Sequence, residues 1–467
     1  MLEFPIKIKL RDKNKDESDF LNFILPSFNL LTCSITEIEN PKENFYFNYD
    51  ERKELCDAKN KINDNNFNKD WDKSKKISNL YELIHISNNK MKGESISRYD
   101  PLSRSFFKLW EILNYFNLIT TKNQITTAHL AEGPGGFVEA CLFYRQRFIK
   151  VYPLQDKYYG ITLNPYTKDI PGWNKANTLI KQFKKNIEID YGIDNTGDLY
   201  KIKNIRSFSR KIKKNDTGAD LITADGGFDF SIDFNKQEQM SHQLILAELL
   251  TAIKSQKQNG SMICKIFDSY SLITVQLLYF ISCLYKEVYL VKPLTSRPAN
   301  SEKYIVAISY QGFNTIDEEQ YYICKLEEIL EQWNDITSKK LIVKSIFENP
   351  SPQFFKRINE YNTNSFKQQK QYINKILQVI NKKPTWIELE NIFYKQTEKA
   401  IEWCNQYHLS INVDSYFYQK YQTKYNNNTQ TQNQIQNQSQ NQSQNQSSKN
   451  NDYLNQLDTY FEKYLAY

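Results

Sequence analysis

His129-Leu130-Ala131-Glu132-Gly133-Pro134-Gly135-Gly136-Phe137-Val138-Glu139-Ala140 is the stretch whose conformation decides the fold. Gly133, Gly135 and Gly136 lack a Cβ, so the backbone there can bend sharply and let a ligand come close. Pro134 fixes its own φ and pushes the residue before it toward an extended conformation, as a strand-to-loop exit needs. Upstream, 125–130 has the make-up of a short strand; downstream, 137–148 carries apolar residues at helical spacing. Strand, glycine loop and helix in that order describe a Rossmann-like nucleotide site, although the same glycines also suit an ordinary tight turn. The loop lacks the spacing of a dinucleotide fingerprint, and no P-loop Gly-Lys-Ser/Thr is present, which argues against NAD and against ATP. What remains is a cofactor without phosphates, such as S-adenosylmethionine, which needs close backbone approach but no anion cradle.

Outward from this loop, strands are expected at 125–130, 158–163, 221–224, 261–267, 287–291 and 304–310, separated by helical patterns. The clearest helix covers 240–255, where Leu244, Ile245, Ala247, Leu249 and Leu250 form a broad apolar face. Alternation of this kind from about 96 to 310 predicts an α/β fold with a mostly parallel sheet. The first 95 residues form a mixed N-terminal extension. In it Phe45-Tyr46-Phe47-Asn48-Tyr49 alternates like a strand, and 59–76 has the composition of an exposed loop. Residues 313–423 are expected to be helical. The Gln/Asn/Ser tract over 424–451 has almost nothing to bury and should be a disordered linker, and 452–467 recovers the spacing of a short amphipathic helix.

A chain of 467 residues can bury one large core or two moderate ones. Its formal net charge of +7 is compatible with a nucleic-acid partner without being diagnostic of one. The seven cysteines are scattered, with no Cys-x-x-Cys pair, so neither a disulfide framework nor a zinc site is expected, and a reducing compartment is. Four histidines give little material for metal or histidine-based nucleophilic chemistry. The N-terminus has no apolar signal core and no apolar run is long enough for a bilayer, so a soluble intracellular protein is expected.

Four charged residues stand where such a sheet would bring them together. Asp225 closes a strand in Ala224-Asp225-Gly226-Gly227-Phe228, at the strand end where open α/β sheets bind ligands. Lys265 lies in the apolar strand Met262-Ile263-Cys264-Lys265-Ile266-Phe267. Burial there should lower its pKa toward the range of a general base, and a second lysine nearby would lower it further. A lysine at a strand end can equally extend its amine to solvent. Glu302 precedes the strand expected from Tyr304, and Lys108 lies on an amphipathic helix, where a solvated face is the simpler account.

The order of Lys108, the 131–137 loop, Asp225, Lys265 and Glu302 resembles the Lys-Asp-Lys-Glu tetrad of the FtsJ-like (RrmJ-type) 2′-O-ribose methyltransferases. More narrowly, Ala224 to Phe228, Cys264-Lys265-Ile266-Phe267-Asp268 and Lys292-Pro293-Leu294-Thr295-Ser296-Arg297-Pro298-Ala299-Asn300-Ser301-Glu302 resemble the cap-specific mRNA (nucleoside-2′-O-)-methyltransferases, including those of large DNA viruses. Tyr191-Gly192-Ile193-Asp194-Asn195-Thr196-Gly197-Asp198-Leu199-Tyr200 is similar to an insertion of that cap branch. The resemblance covers about 97–310. It implies catalysis by Lys108, Asp225, Lys265 and Glu302, with Lys265 as general base and no metal. It also implies S-adenosylmethionine held by Ala131, Glu132, Gly133, Pro134, Gly135, Gly136, Phe137, Asp198 and Leu199, and RNA contacts at Asn235 and Asn300. The implied partner is 7-methylguanosine-capped mRNA, with other capping or transcription proteins as further candidates.

One feature departs from the general methyltransferase pattern. The second strand, Tyr159-Gly160-Ile161-Thr162-Leu163-Asn164, ends without the carboxylate that often holds the cofactor ribose, leaving Asn164 and Asp198 as candidates. Two other readings stay open: a 2′-O-methyltransferase of ribosomal or transfer RNA, and a non-catalytic RNA-binding subunit with the same fold.

Overall fold

The computed structural model describes residues 6–12, 23–34, 49–63, 68–87, 91–119, 122–148, 155–165, 171–215, 218–228 and 234–425. The chain divides into two compact units, one of Met1–Asn60 and Ser105–Lys370 and the other of Lys61–Arg104 and Gln371–Tyr467.

The first unit is built on an eight-stranded sheet. In chain order its strands are β1 (Ile6–Asp12), β3 (Thr126–Leu130), β4 (Lys157–Ile161), β5 (Ile187–Asp190), β6 (Ala219–Ala224), β7 (Gln256–Phe267), β8 (Tyr285–Lys292) and β9 (Glu302–Tyr310). β2 (Phe28–Ser34) pairs instead with β10 (Leu341–Phe347) in a separate antiparallel ribbon. The order across the large sheet is β1-β8-β9-β7-β6-β3-β4-β5. Neighbours from β5 through to β7 are parallel, whereas β9 runs antiparallel to both β7 and β8, and β1 antiparallel to β8. The α/β class with a mostly parallel sheet is therefore what the alternation indicated. All six expected strands are present, and β5, four residues long, is one that the sequence pattern did not disclose.

The helices of this unit follow from their apolar spacing. They include α1 (Tyr49–Asn63), α3 (Ser105–Tyr115), α4 (Gly136–Phe148), α6 (Ile202–Asn215), α7 (Gln237–Ser255) and α8 (Leu272–Leu284), and α5 (Asn177–Gln182) is a short turn of helix. The side chains of α7 and α8 are buried almost all round, together with β6 and β7, in one continuous core containing Ile222, Leu246, Leu250, Cys264, Ile273 and Leu277. α9 (Ile316–Ser338) starts on Thr315, whose hydroxyl caps the Glu318 N–H at 3.1 Å.

In the second unit α2 (Asn68–Ser78) and α11 (Trp386–Gln406) are joined by a buried glutamine. Gln396 donates to the carbonyls of Lys76, Ile77 and Asn79 and so satisfies the last turn of α2. A capping box between Thr385 and Glu388 begins α11. The long helix α10, Pro352–Asn381, belongs to the first unit up to Lys370 and to the second from Gln371.

Four local expectations differ from the structure. Residues 59–76 are helical wherever described, belonging to α1 and α2. Leu55, Ala58 and Ile62 recur at helical spacing and are buried, a stripe concealed by the lysines and asparagines between them. The region 313–423 is mainly helical but contains β10. Tyr49 begins α1 and not a strand, while Phe45 to Asn48 lie outside the described residues. Lys424 and Tyr425, expected in the linker, are helical, and 426–467, with the rest of the linker and all of the terminal helix expected there, lie outside the described residues. Among the described residues no helix is long and apolar enough to cross a membrane.

Candidate active site

The strand order reverses between β3 and β6, because β3 leads to β4 on one side and β6 leads to β7 on the other. Crevices at such a reversal, at the carboxyl ends of the strands, are where open α/β sheets bind ligands. The glycine loop leaves the end of β3 and Asp225 leaves the end of β6, with the Asp225 N–H donating to the Leu130 carbonyl at 3.4 Å. Lys265 arrives from β7. Glu302 arrives from β9, whose antiparallel direction brings its first residue to the carboxyl end of β7, so that Glu302 is paired with Phe267 and Tyr304 with Lys265. Side chains two apart on a strand share a face, and directly paired residues of neighbouring strands do too. Phe267, Lys265, Tyr304 and Glu302 therefore face the same way.

Two lysine–carboxylate pairs result. Lys265 Nζ donates to the Asp225 backbone carbonyl at 2.9 Å, lies 3.2 Å from Asp225 Oδ1 and sits 5.5 Å from the centroid of the Phe267 ring. Lys108, projecting from α3, donates to Glu302 Oε2 at 2.7 Å. The Tyr304 hydroxyl donates to Asp225 Oδ1 at 3.0 Å, and the Ser296 hydroxyl donates to Glu302 Oε1 at 2.9 Å. The four charged side chains are largely withdrawn from water, so Lys108 does not lie on a solvated face and Lys265 does not extend to solvent.

The electrostatics differ from the sequence reading in one respect. Burial does push the Lys265 ammonium down, but Asp225 and Glu302 outweigh it, and the pKa is raised above the ordinary lysine value. The expectation of a depressed pKa counted burial and a second lysine and left out the two acids, while Lys108 is engaged with Glu302. Burial works against the Glu302 carboxylate, yet Lys108 and Lys265 hold it down at about 2. The lysine that is depressed is Lys292: burial, with Lys303 beside it, lowers it to about 7. Burial also pushes the Glu248 carboxyl, on α7, up to about 8. Tyr304, Ser296, Lys292 and Glu248 were not singled out from the sequence. Of these, only Tyr304 had a visible signal, standing two residues beyond Glu302 on the same strand face.

The glycine loop bends at Ala131, whose φ is +54°, and the Ala131 N–H is held by the Ile161 carbonyl at 2.8 Å. A Cβ on Gly133 would overlap the Pro171 carbonyl, and one on Gly135, where φ is +106°, would stand 3.2 Å from the Trp173 ring. These glycines are thus required by the 171–176 segment packed on the loop, whatever else approaches them. Gly135→Ala should cost on the order of 1–3 kcal/mol in the ligand-free protein, as strained backbone positions do. Urea unfolding without cofactor measures this, and an unchanged midpoint would contradict the strain.

The residues present fit a cationic, phosphate-free cofactor. No lysine or arginine lies between His129 and Phe137, and the one acid within the loop, Glu132, feels the charge of Asp225. Glu132 is buried, its Oε1 has no hydrogen-bond partner, and burial pushes its carboxyl well above the usual range. Its other oxygen faces His129 Nδ1 at 3.1 Å, an imidazole that burial lowers to about 3 and so keeps neutral. Gly136 and Phe137 open α4. At the end of β4, the Asn164 N–H and side-chain amide donate to the carbonyls of Thr196 and Asn195, which brings the 195–199 segment to that strand end. Asp198 accepts from the Tyr200 N–H at 2.9 Å through Oδ1, and Leu199 is buried. Both candidates for the ribose therefore sit in one loop cluster.

Of the two positions expected to meet RNA, Asn300 lies two residues before Glu302, on the loop that leads into it, and Asn235 lies just ahead of α7. Asn235 donates through Nδ2 to Asn60 Oδ1 of α1 at 2.7 Å. Asn300 is exposed, and its backbone carbonyl accepts from Lys292 at 2.6 Å. Among the described residues no group of histidine, cysteine, aspartate and glutamate side chains is arranged to hold a metal ion.

Comparison with known proteins gives this geometry a class. Residues 101–310 match the FtsJ-like methyltransferase family, and the chain carries an FtsJ-like methyltransferase domain. The chain is 34% identical over 249 residues to cap-specific mRNA (nucleoside-2′-O-)-methyltransferase 1 of Dictyostelium discoideum, covering 48% of this chain and 32% of that protein. It is 34% identical over 216 residues to the enzyme of the same name from Bos taurus, covering 45% and 24%. A probable methyltransferase of African swine fever virus is 29% identical over 242 residues, covering 48% and 53%. The chain thus spans at most about half the length of these relatives.

Proposed function

We propose that this chain transfers a methyl group from S-adenosylmethionine to the ribose 2′-hydroxyl of a cap-proximal nucleotide of 7-methylguanosine-capped mRNA. The observation that carries the reading is the convergence of Lys108, Asp225, Lys265 and Glu302 as two lysine–carboxylate pairs beside the glycine loop. The match of residues 101–310, the span in which all four lie, to the FtsJ-like methyltransferase family supports it. The bound cofactor would supply an electrophilic methyl on a sulfonium, and Ala131 to Phe137 with Asp198 and Leu199 would hold it.

Lys265, once it has lost its own proton, takes the proton of the attacking 2′-hydroxyl. Asp225 aims the amine with both its backbone carbonyl and its carboxylate, and the Tyr304 hydroxyl fixes that carboxylate. Glu302 holds Lys108, whose positive charge stabilises negative charge developing on the oxygen. Burial of the four side chains strengthens these terms, because the site is largely shielded from water. Fixing the two reactants side by side supplies a large part of the acceleration. None of the seven cysteines is in a disulfide, which suits work in a reducing intracellular compartment.

The test is methyl transfer to matched transcripts carrying either a 7-methylguanosine cap or a 5′ triphosphate, followed by nuclease mapping of the labelled nucleotide. The capped transcript should be preferred and the label should sit on the ribose at or next to the cap-proximal nucleotide. Binding should weaken as salt rises, since lysine and arginine contacts to phosphate release counterions. The cap preference should persist, because stacking on a base is less screened. Equal rates on both transcripts, or internal label, would move the protein to the ribosomal or transfer RNA branch. No transfer to any RNA would leave a binding subunit.

A further inference from the structure

The segment between β8 and β9 carries Ser296, Asn300 and the approach to Glu302, and it is fastened at both ends by buried charges outside the tetrad. At its start stands Glu111, on α3 one turn beyond Lys108, and 1% exposed. Glu111 Oε1 accepts from the Leu294 N–H at 2.7 Å; Oε2 accepts from the Thr295 N–H at 3.2 Å and from the Thr295 hydroxyl at 3.0 Å. At its far end Lys292 donates to the carbonyls of Asn300 at 2.6 Å and Glu302 at 3.0 Å, with Ser296 Oγ at 3.5 Å. The loop is therefore bonded to the helix that bears Lys108 and to the strand that precedes it.

We infer that Glu111 and Lys292 are positioning residues, which set the distance and orientation of the Lys108–Glu302 pair through the 293–301 loop. Residues three apart on a helix share a face, so Glu111 and Lys108 point the same way from α3. When Glu111 binds Leu294 and Thr295, the rotation of α3 about its axis is fixed relative to the loop. Lys108 is then held within reach of Glu302 Oε2. From the other side, Lys292 closes the loop on the Glu302 backbone, and Ser296, carried by that loop, holds Glu302 Oε1. Each oxygen of Glu302 thus has a separate donor, one reached through α3 and one through the loop. A side-chain ammonium carries three donors, and the three oxygens around Lys292 match that number. Neither residue bonds to Asp225 or Lys265 in the structure, so the base and its partner are left in place when the clamp is loosened.

This rests on the methyl-transfer reading, and the wild-type enzyme separates the two. If wild type does not methylate capped RNA, that reading has failed. With wild type active, Glu111→Gln should lower kcat about 10-fold and leave KM for S-adenosylmethionine within about twofold, because misplacement by about an ångström far from the chemistry costs rate on this scale or more. The rise in thermal midpoint on adding S-adenosylmethionine should be retained, showing that fold and cofactor loop are intact. Lys292→Met should show the same split. Thr295→Val, which removes only the hydroxyl bond to Glu111 and keeps those from the Leu294 and Thr295 N–H groups, should fold where the charged variants do not, and lose about threefold in kcat. A kcat within twofold of wild type for Glu111→Gln, or for Thr295→Val where Glu111→Gln does not fold, overturns the inference. So does a loss shared equally between kcat and cofactor binding, which is the mark of general structural damage.

Discussion

Lys265→Ala should reduce methyl transfer to capped RNA by about 10²–10⁴-fold, the usual cost of losing a general base. Cofactor binding should survive, since the 131–137 loop hangs from β3 and β4 and not from the Lys265 side chain. The two readouts are single-turnover transfer and the rise in thermal midpoint on adding S-adenosylmethionine. Turnover within about 10-fold of wild type would end the assignment of Lys265 as base. Lys265→Arg should be nearly as inactive, because a guanidinium does not give up its proton in this range. Asp225 and Glu302 hold the Lys265 ammonium above its ordinary value in the ligand-free protein, against the pull of burial. Transfer should accordingly increase with pH as Lys265 deprotonates. Asp225→Asn removes one of the two acids, so the rising limb of kcat/KM should move to lower pH even though the plateau falls. A limb that stays in place would mean that another group controls it.

The sequence disclosed the centre of the fold better than its borders, for a physical reason. Strands buried on both faces, such as 261–267, are apolar runs bounded by turns, and the helix after each is long enough to show its period. β5 offers only Ile-Glu-Ile-Asp, too short a run to stand out. α1 and α2 bury narrow stripes among many polar residues, so 59–76 has the composition of a loop even though Leu55, Ala58 and Ile62 pack inside. Among the site residues, those on strand ends were legible because a charge in an apolar run is conspicuous. Lys265 and Asp225 are of this kind. Glu111 and Lys292 were not, since a glutamate on a helix and a lysine before a proline are ordinary in sequence. Their role shows only when the 293–301 loop is seen folded between them. The sign of the Lys265 shift was misread for a related reason. Burial can be inferred from neighbours along the chain, whereas Asp225 and Glu302 approach from other strands.

Asp268→Asn should be among the most destabilising single changes in the first unit, at about 3–5 kcal/mol, the cost of removing one partner from a buried ion pair. Asp268 follows β7 with φ at +59° and is buried between two lysines that are themselves buried. Its Oδ1 accepts from Lys303 at 2.7 Å and its Oδ2 from Lys59, on α1, at 3.2 Å. Burial alone would raise this carboxyl, but Lys303 and Lys59 outweigh it and hold it well below the usual carboxylate range. Asparagine tolerates the left-handed backbone and keeps the shape, so the change isolates the charge. Two ammonium groups would be left without their shared anion. A carboxylate with a depressed folded pKa contributes fully above its unfolded pKa of about 4 and loses that contribution as pH falls through the folded value. The gap between wild type and Asp268→Asn in urea unfolding should therefore be largest near neutral pH and should shrink below about pH 4. Lys59→Met should cost less, because the Asp268–Lys303 pair would remain and a methionine suits a buried site. A loss under about 1 kcal/mol for Asp268→Asn would show that α1 is held by its apolar stripe and that the ion triad adds little, and a larger loss for Lys59→Met than for Asp268→Asn would show that the shared anion is not the main support.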